Sequence, residues 1–198
     1  MNRQDKLESM VDGGDRYSLV NYLSRNISNG GRSGRMNWPQ LFASLVKNES
    51  DMSLTFYDPI TEDKLRKIKE VTGIEISGEL LELLSQTDGI KENRFGDYWI
   101  YGSEQIIECH ERCLVYFEES DFDLKSRLLF ADNGCGDYFG YMVKNAKIIS
   151  SQIGYFEPIS PDEFTIVSPD LHTWATKWHS GTLFIYGEEE TVSRGDGY

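Results

Sequence analysis

No apolar run in this chain approaches the roughly 18–20 residues that cross a bilayer as a helix, so a membrane-spanning helix is not expected. Met1–Met10 is polar and holds no hydrophobic stretch, so no secretory signal is expected either. Cysteine is scarce. Cys109, Cys113 and Cys135 are an odd number of thiols, which suits reduced cysteines in a cytoplasmic protein rather than a disulfide framework. Cations are outnumbered: 20 Lys and Arg face 33 Asp and Glu, a formal net charge of −13. The imbalance is local. Residues 1–50 carry 7 basic and 5 acidic side chains, whereas residues 51–198 carry 13 and 28. A body with a net −15 repels phosphate, which argues against nucleic acid and against anionic membrane surfaces. A basic protein partner is its electrostatic complement, because opposed fields speed encounter by roughly 10–1000-fold. Solubility alone also explains an acidic surface, and composition leaves both readings open.

What is present suits one globular domain with an extension. The 198 residues are 13% aromatic, enough rings to fill a core. Residues 1–36 read as an extension. Leu19, Val20, Leu23 and Ile27 form a weak helical stripe there, and Ser28–Arg35 is a Gly-, Ser- and Arg-rich linker. A domain is expected over 37–186 and an acidic tail over 187–198.

Asn37 is expected to cap a first helix bearing Trp38, Leu41, Phe42 and Leu45. Thr61 caps a second with Leu65, Ile68 and Val71, ended by Gly73. Ser77 caps a third with Leu80, Leu81 and Leu84, ended at Asp88-Gly89. Tyr98–Tyr101 reads as a strand. Ser103 is placed as the cap of a fourth helix with Ile106, Ile107, His110, Cys113, Leu114 and Phe117 inward. Strands follow at 127–131 and 138–143, joined by a hairpin loop at 132–137, and two short ones at 147–150 and 154–156. Ser168-Pro169 opens a last helix with Leu171, Trp174, Ala175 and Trp178, and residues 183–186 add a strand. Helices first, then strands, then a closing helix predict an α+β fold with a mostly antiparallel sheet.

No catalytic constellation emerges, so the chain is not expected to be an enzyme. Cys109-His110-x-x-Cys113 lacks the further ligands that zinc requires, and helical spacing places its cysteines among apolar neighbours. Cys135 has no nearby base, and Asp132 and Asp137 disfavour its thiolate. The loop Asp132-Asn-Gly-Cys-Gly-Asp137 lacks the spacing and closing glutamate of a calcium loop. Its Asp and Asn suit turn closure and its glycines supply positive φ. No glycine-rich phosphate cradle follows a strand. No metal and no cofactor are expected.

Partner-binding candidates are of two kinds. Glu118, Glu119, Asp121 and Asp123 place four acids in six residues after the fourth helix. Asp132, Asn133, Asp137 and Tyr138 sit on the hairpin loop, with Trp99 and Tyr101 expected near it. The aromatic set Trp99, Tyr101, Tyr138, Phe139, Tyr141 and Tyr155 alternates along strands. One sheet face is therefore expected to fill the core and the other to present tyrosines outward.

From Trp38 to Gly181 the ordered signals resemble the SUKH superfamily of bacterial immunity proteins and fungal cell-wall-synthesis regulators. The resemblance rests on Trp38-x-x-Leu41, on Ile60–Ile68 followed by Thr72–Leu84 and Asp88-Gly89, on Leu129–Phe139 with Gly136-Asp137 before aromatics, and on Ser168–Trp174. It implies an α+β fold and a non-enzymatic role. Bacterial members typically neutralise a toxin encoded beside them, often a nuclease, by binding it. The resemblance thus suggests occlusion of a cognate basic toxin domain, with a regulatory or scaffolding domain as the alternative. The extension before Trp38 is not part of the family pattern, and Tyr155–Pro161 replaces a stretch often more acidic in relatives.

Overall fold

A computed structural model describes residues 36–49, 51–119, 122–186 and 190–191. Most of the predicted extension and tail lies outside these residues.

Three helices lead. α1 (Trp38–Leu45) starts at Asn37, whose side chain accepts the Gln40 N–H at 3.0 Å. α2 (Glu62–Thr72) starts at Thr61, carries Glu62 and Asp63 in its first turn, and ends at Gly73 with φ 72°. That order matches the helix dipole, with acids at the N-terminus and Lys69 in the last turn. α3 (Gly78–Leu84) buries Leu80, Leu81, Leu83 and Leu84.

A small antiparallel sheet, β1 (Leu54–Phe56), β2 (Ile90–Glu92) and β3 (Tyr98–Ile100), interleaves with these helices. α4 (Ser103–Tyr116) and a 3-10 turn (Leu124–Ser126) lead to the larger sheet. Its order is β4 (Arg127–Asp132), β5 (Tyr138–Lys144), β6 (Lys147–Phe156) and β7 (Thr165–Ser168), every neighbour antiparallel. The Tyr101 N–H donates to the Phe130 carbonyl at 2.8 Å and joins the two sheets where β3 leads into α4. α5 (Leu171–His179) closes the core, and β8 (Phe184–Tyr186) pairs with β9 (Glu190–Thr191). The fold is α+β, as the order of the sequence elements predicts.

Several boundaries differ from the sequence expectation, each for a physical reason. Ser168 ends β7, and Asp170 caps α5 by accepting the Thr173 N–H at 2.7 Å. Ser103 is the first residue of α4 rather than its cap, because Asp88 takes both its N–H and its hydroxyl. The two short strands at 147–156 are one strand, since β5 supplies partners along that stretch. β1, β2 and β7 were not foreseen: two are three residues long and the third four, too short for an alternation to show.

The largest correction concerns the sheet faces. Both are covered along β4 and β5. Phe139 packs edge-on against Trp174 and Trp178 of α5, with ring centroids at 5.2 and 4.9 Å. Tyr138 points the other way, toward Phe156, with Arg112 and Cys113 of α4 beside it. The six aromatics expected to divide between core and surface do not: Trp99, Tyr101, Tyr138, Phe139, Tyr141 and Tyr155 are all buried. Where β4 and β5 have a helix on each side, alternation separates two packed faces, whereas the start of β6 and most of β7 stay exposed.

His110 lies on the buried side of α4, and among the described residues nothing hydrogen-bonds its Nε2. Burial lowers its pKa from the ordinary 6.5, and Lys125 lowers it further against a small opposing pull from Glu111. The folded state therefore holds neutral His110, and its contribution is complete above about pH 6.5. That contribution drains away as pH falls from 6.5 toward the lowered folded value, at most about 1.4 kcal/mol per pH unit. Glu79 acts oppositely: burial raises its pKa above 4.5, so acid relieves its cost. Denaturant melts of wild type and His110→Leu between pH 5 and 7.5 should show a flatter slope in the variant. Identical slopes would mean that His110 is not held neutral.

Candidate functional site

The hairpin loop between β4 and β5 is held by its own side chains. Asp132 Oδ1 accepts the Gly134 N–H at 2.8 Å, and its other oxygen takes the buried Tyr101 hydroxyl. Asn133 Oδ1 accepts the Cys135 and Asp137 N–H groups at 2.8 and 3.2 Å. Its amide donates to Asp137 Oδ2 at 3.0 Å, which also accepts the Tyr155 hydroxyl at 2.5 Å. Gly134 and Gly136 take φ of 77° and 99°, a region that L side chains rarely enter. Asp132, Asn133 and Tyr101 thus hold the loop in shape from behind, and burial together with Asp132 drives the Tyr101 pKa far up.

The front of this loop forms a groove of about 340 Å3. Its lining comes from three segments: Arg112, Cys113 and Tyr116 on α4, Gly136, Asp137 and Tyr138 at the loop, and Pro158 and Ile159 after β6. Apolar side chains stand exposed at or beside this end of α4: Val115 is 74% exposed, Tyr116 63% and Ile159 84%. Leu114, expected inward, is exposed as well, because the buried stripe runs through Ile106, His110, Cys113 and Phe117 instead.

The sequence candidates divide accordingly. Asp137 and Tyr138 line the groove. Tyr138 is only 7% exposed, and burial pushes its hydroxyl pKa up to about 12 while Arg112 opposes the shift. Trp99 lies elsewhere in the core, against Phe42 and His179, where it is 2% exposed. Glu118 and Glu119 are exposed just beyond α4. Asp123 is exposed and caps the 3-10 turn through the Lys125 N–H at 3.1 Å. Asp121 lies outside the described residues. Four lining residues escaped the sequence reading: Arg112, Tyr116, Pro158 and Ile159. Tyr116 was legible in principle, since it is an apolar residue off the α4 stripe.

Cys109 and Cys113 are buried on α4, and Cys135 is exposed on the loop. Hydrogen bonding to Cys113, together with burial, pushes the Cys109 thiol pKa well up. Among the described residues no three of His, Cys, Asp or Glu converge as metal ligands would. Nor, among them, is any helix long and apolar enough to cross a membrane.

The model of the SMI1/KNR4 family, SUKH-1, matches residues 59–177, from just before α2 to within α5. The chain belongs to this family. A search of curated proteins found no match. The SUKH match spans the Asp88-Gly89 turn, the hairpin loop and every groove residue. Domains of this family interact with partner proteins and are typically non-catalytic, serving in immunity or regulation.

Proposed function

We propose that this SUKH domain is a cytoplasmic immunity protein that binds a cognate toxin domain and blocks it by occlusion, with residues 37–186 as the binding body. The observation that carries the reading is the groove beside the hairpin loop. It joins exposed apolar side chains to a firmly held loop, on a domain whose family works through partners. Tyr116 and Ile159 form the contact centre, and Asp137 and the Tyr138 edge its floor. Apolar side chains at the middle of such a patch carry binding once water is excluded around them. The decisive experiment expresses the chain with the toxin domain encoded beside it and counts surviving cells. Absent protection, together with no complex on size exclusion, would sink the reading.

In this reading the acids after α4 act before contact. Opposed charge raises the association rate more than it slows dissociation, and exposed charges are screened over about 8 Å at physiological ionic strength. Neutralising Glu118, Glu119, Asp121 and Asp123 together should lower the association rate, with a smaller change in dissociation, and the difference should shrink in high salt. An association rate unchanged at low salt would assign these four acids to solubility.

A further inference from the structure

The groove holds a charge that the acidic body does not explain. Arg112 is exposed on α4 and lines the groove, yet among the described residues no carboxylate forms an ion pair with it. Its neighbours at Glu108 and Glu111 lie on the same helix without engaging it. The one acid in the lining, Asp137, has its Oδ2 occupied by Asn133 and Tyr155. Arg112 instead lies beside the Tyr138 hydroxyl, a neutral neighbour that does not offset its charge. Beside it are the apolar surfaces of Tyr116, Pro158 and Ile159.

A cation without a counter-charge, next to an apolar slot, is complementary to an apolar side chain with a carboxylate beside it. Guanidinium pairs with carboxylate through two parallel N–H donors, a stronger and more directional contact than neutral hydrogen bonds. The far field and this contact answer different questions. The net −15 of residues 51–198 acts over several ångströms and favours a basic partner on approach. At contact only the groups within hydrogen-bonding reach count: Arg112 is the cation there, and Asp137, the acid in the lining, has its Oδ2 turned to Asn133 and Tyr155.

We propose that the groove takes a bulky apolar side chain of the partner whose neighbouring Asp or Glu carboxylate pairs with Arg112. The contact sets the register of the complex, while the rim acids serve its approach. The proposal rests on reading the groove as the partner site, but it can be tested on the full chain without any partner. Three probes separate the terms: indole-3-propionate carries ring and carboxylate, indole the ring alone, and tryptamine the ring with an ammonium.

Each is titrated while the amide signals of Gly136, Tyr138 and Ile159 are followed by NMR. Indole-3-propionate should shift these signals with a dissociation constant of about 1 mM, as befits a ligand of its size. It should bind about fivefold or more tighter than indole or tryptamine. Arg112→Gln should remove that preference and leave indole binding unchanged. Arg112→Lys should retain part of it, because a point charge cannot bind in the two-pronged manner. Ile159→Asp should weaken both indole and indole-3-propionate.

Tighter binding of tryptamine would overturn the proposal, since the acids would then dictate the ligand. So would the absence of shifts at the three amides with every probe. Concentration-dependent dimerisation on sedimentation, abolished by Ile159→Asp, would overturn it as well by making a second copy the occupant. Failure in this titration alongside protection in the survival assay would remove the Arg112 contact and keep the immunity reading. The reverse pattern would keep the groove chemistry and remove the toxin.

Discussion

Replacing Asp88 by alanine is expected to lower the folding stability by about 3 kcal/mol, a large share of the roughly 5–15 kcal/mol that holds a domain together. Asp88 is buried where β2 and α4 meet. Its carboxylate accepts the Ser103 N–H, the Ser103 hydroxyl and the Lys64 ammonium, each at 2.7 Å. Removing it strands a buried N–H at the first turn of α4 and a buried hydroxyl beside it. Lys64 adds less, since its side chain is nearly half exposed and rehydrates when the partner leaves. Lys64→Met should therefore cost less than about 1 kcal/mol. The site also tolerates little repacking. A Cβ on Gly102 would sit 2.3 Å from the Asp88 carbonyl oxygen, and one on Gly89 would sit 2.7 Å from the Gly102 nitrogen. At a domain of this size the Asp88→Ala loss should appear as a melting point lower by roughly 6–12 °C. Asp88→Asn, which keeps one acceptor oxygen, should fall between the two. A loss below about 1 kcal/mol for Asp88→Ala would show that water replaces these bonds without cost.

The second large effect separates folding from binding within a few ångströms. Tyr138→Ala should cost about 3–5 kcal/mol of stability, the usual penalty for truncating a buried aromatic. The ring lies under α4 and beside Phe156, so its removal opens a cavity between helix and sheet. Tyr138→Phe should retain most of the stability. Tyr116→Ala combined with Ile159→Asp should do the opposite. Both side chains are exposed, so the melting point should hardly move. The complex with the cognate toxin should weaken by about 100-fold or more, because one apolar anchor is removed and a charge is buried against the other. Thermal melts and titration calorimetry on these variants decide the matter. A stable Tyr138→Ala with a much weaker complex would move Tyr138 from the core to the interface.

Much of this molecule is determined by its sequence alone. Asn37 and Thr61 cap the helices that their short polar side chains call for, and Gly73 ends α2 in the left-handed conformation. The hairpin loop closes on Asp132 and Asn133 because those side chains reach amides only two to four residues ahead. Such features are local, so local chemistry suffices. The ordered series of elements carried the α+β class and the SUKH resemblance for the same reason. What only the tertiary structure decided depends on which surfaces meet. Alternation in β5 separates Tyr138 from Phe139, but the spacing is the same whether the second face meets water or a helix. Here α4 covers it, which draws Tyr138 into the core and keeps Trp99 apart, against Phe42 and His179. The groove itself joins Arg112 and Tyr116 to Ile159, more than forty positions along the chain. No periodicity links residues so far apart. They become neighbours because β6 runs antiparallel to β5 and delivers the loop after Phe156 to the start of Tyr138, beside the end of α4.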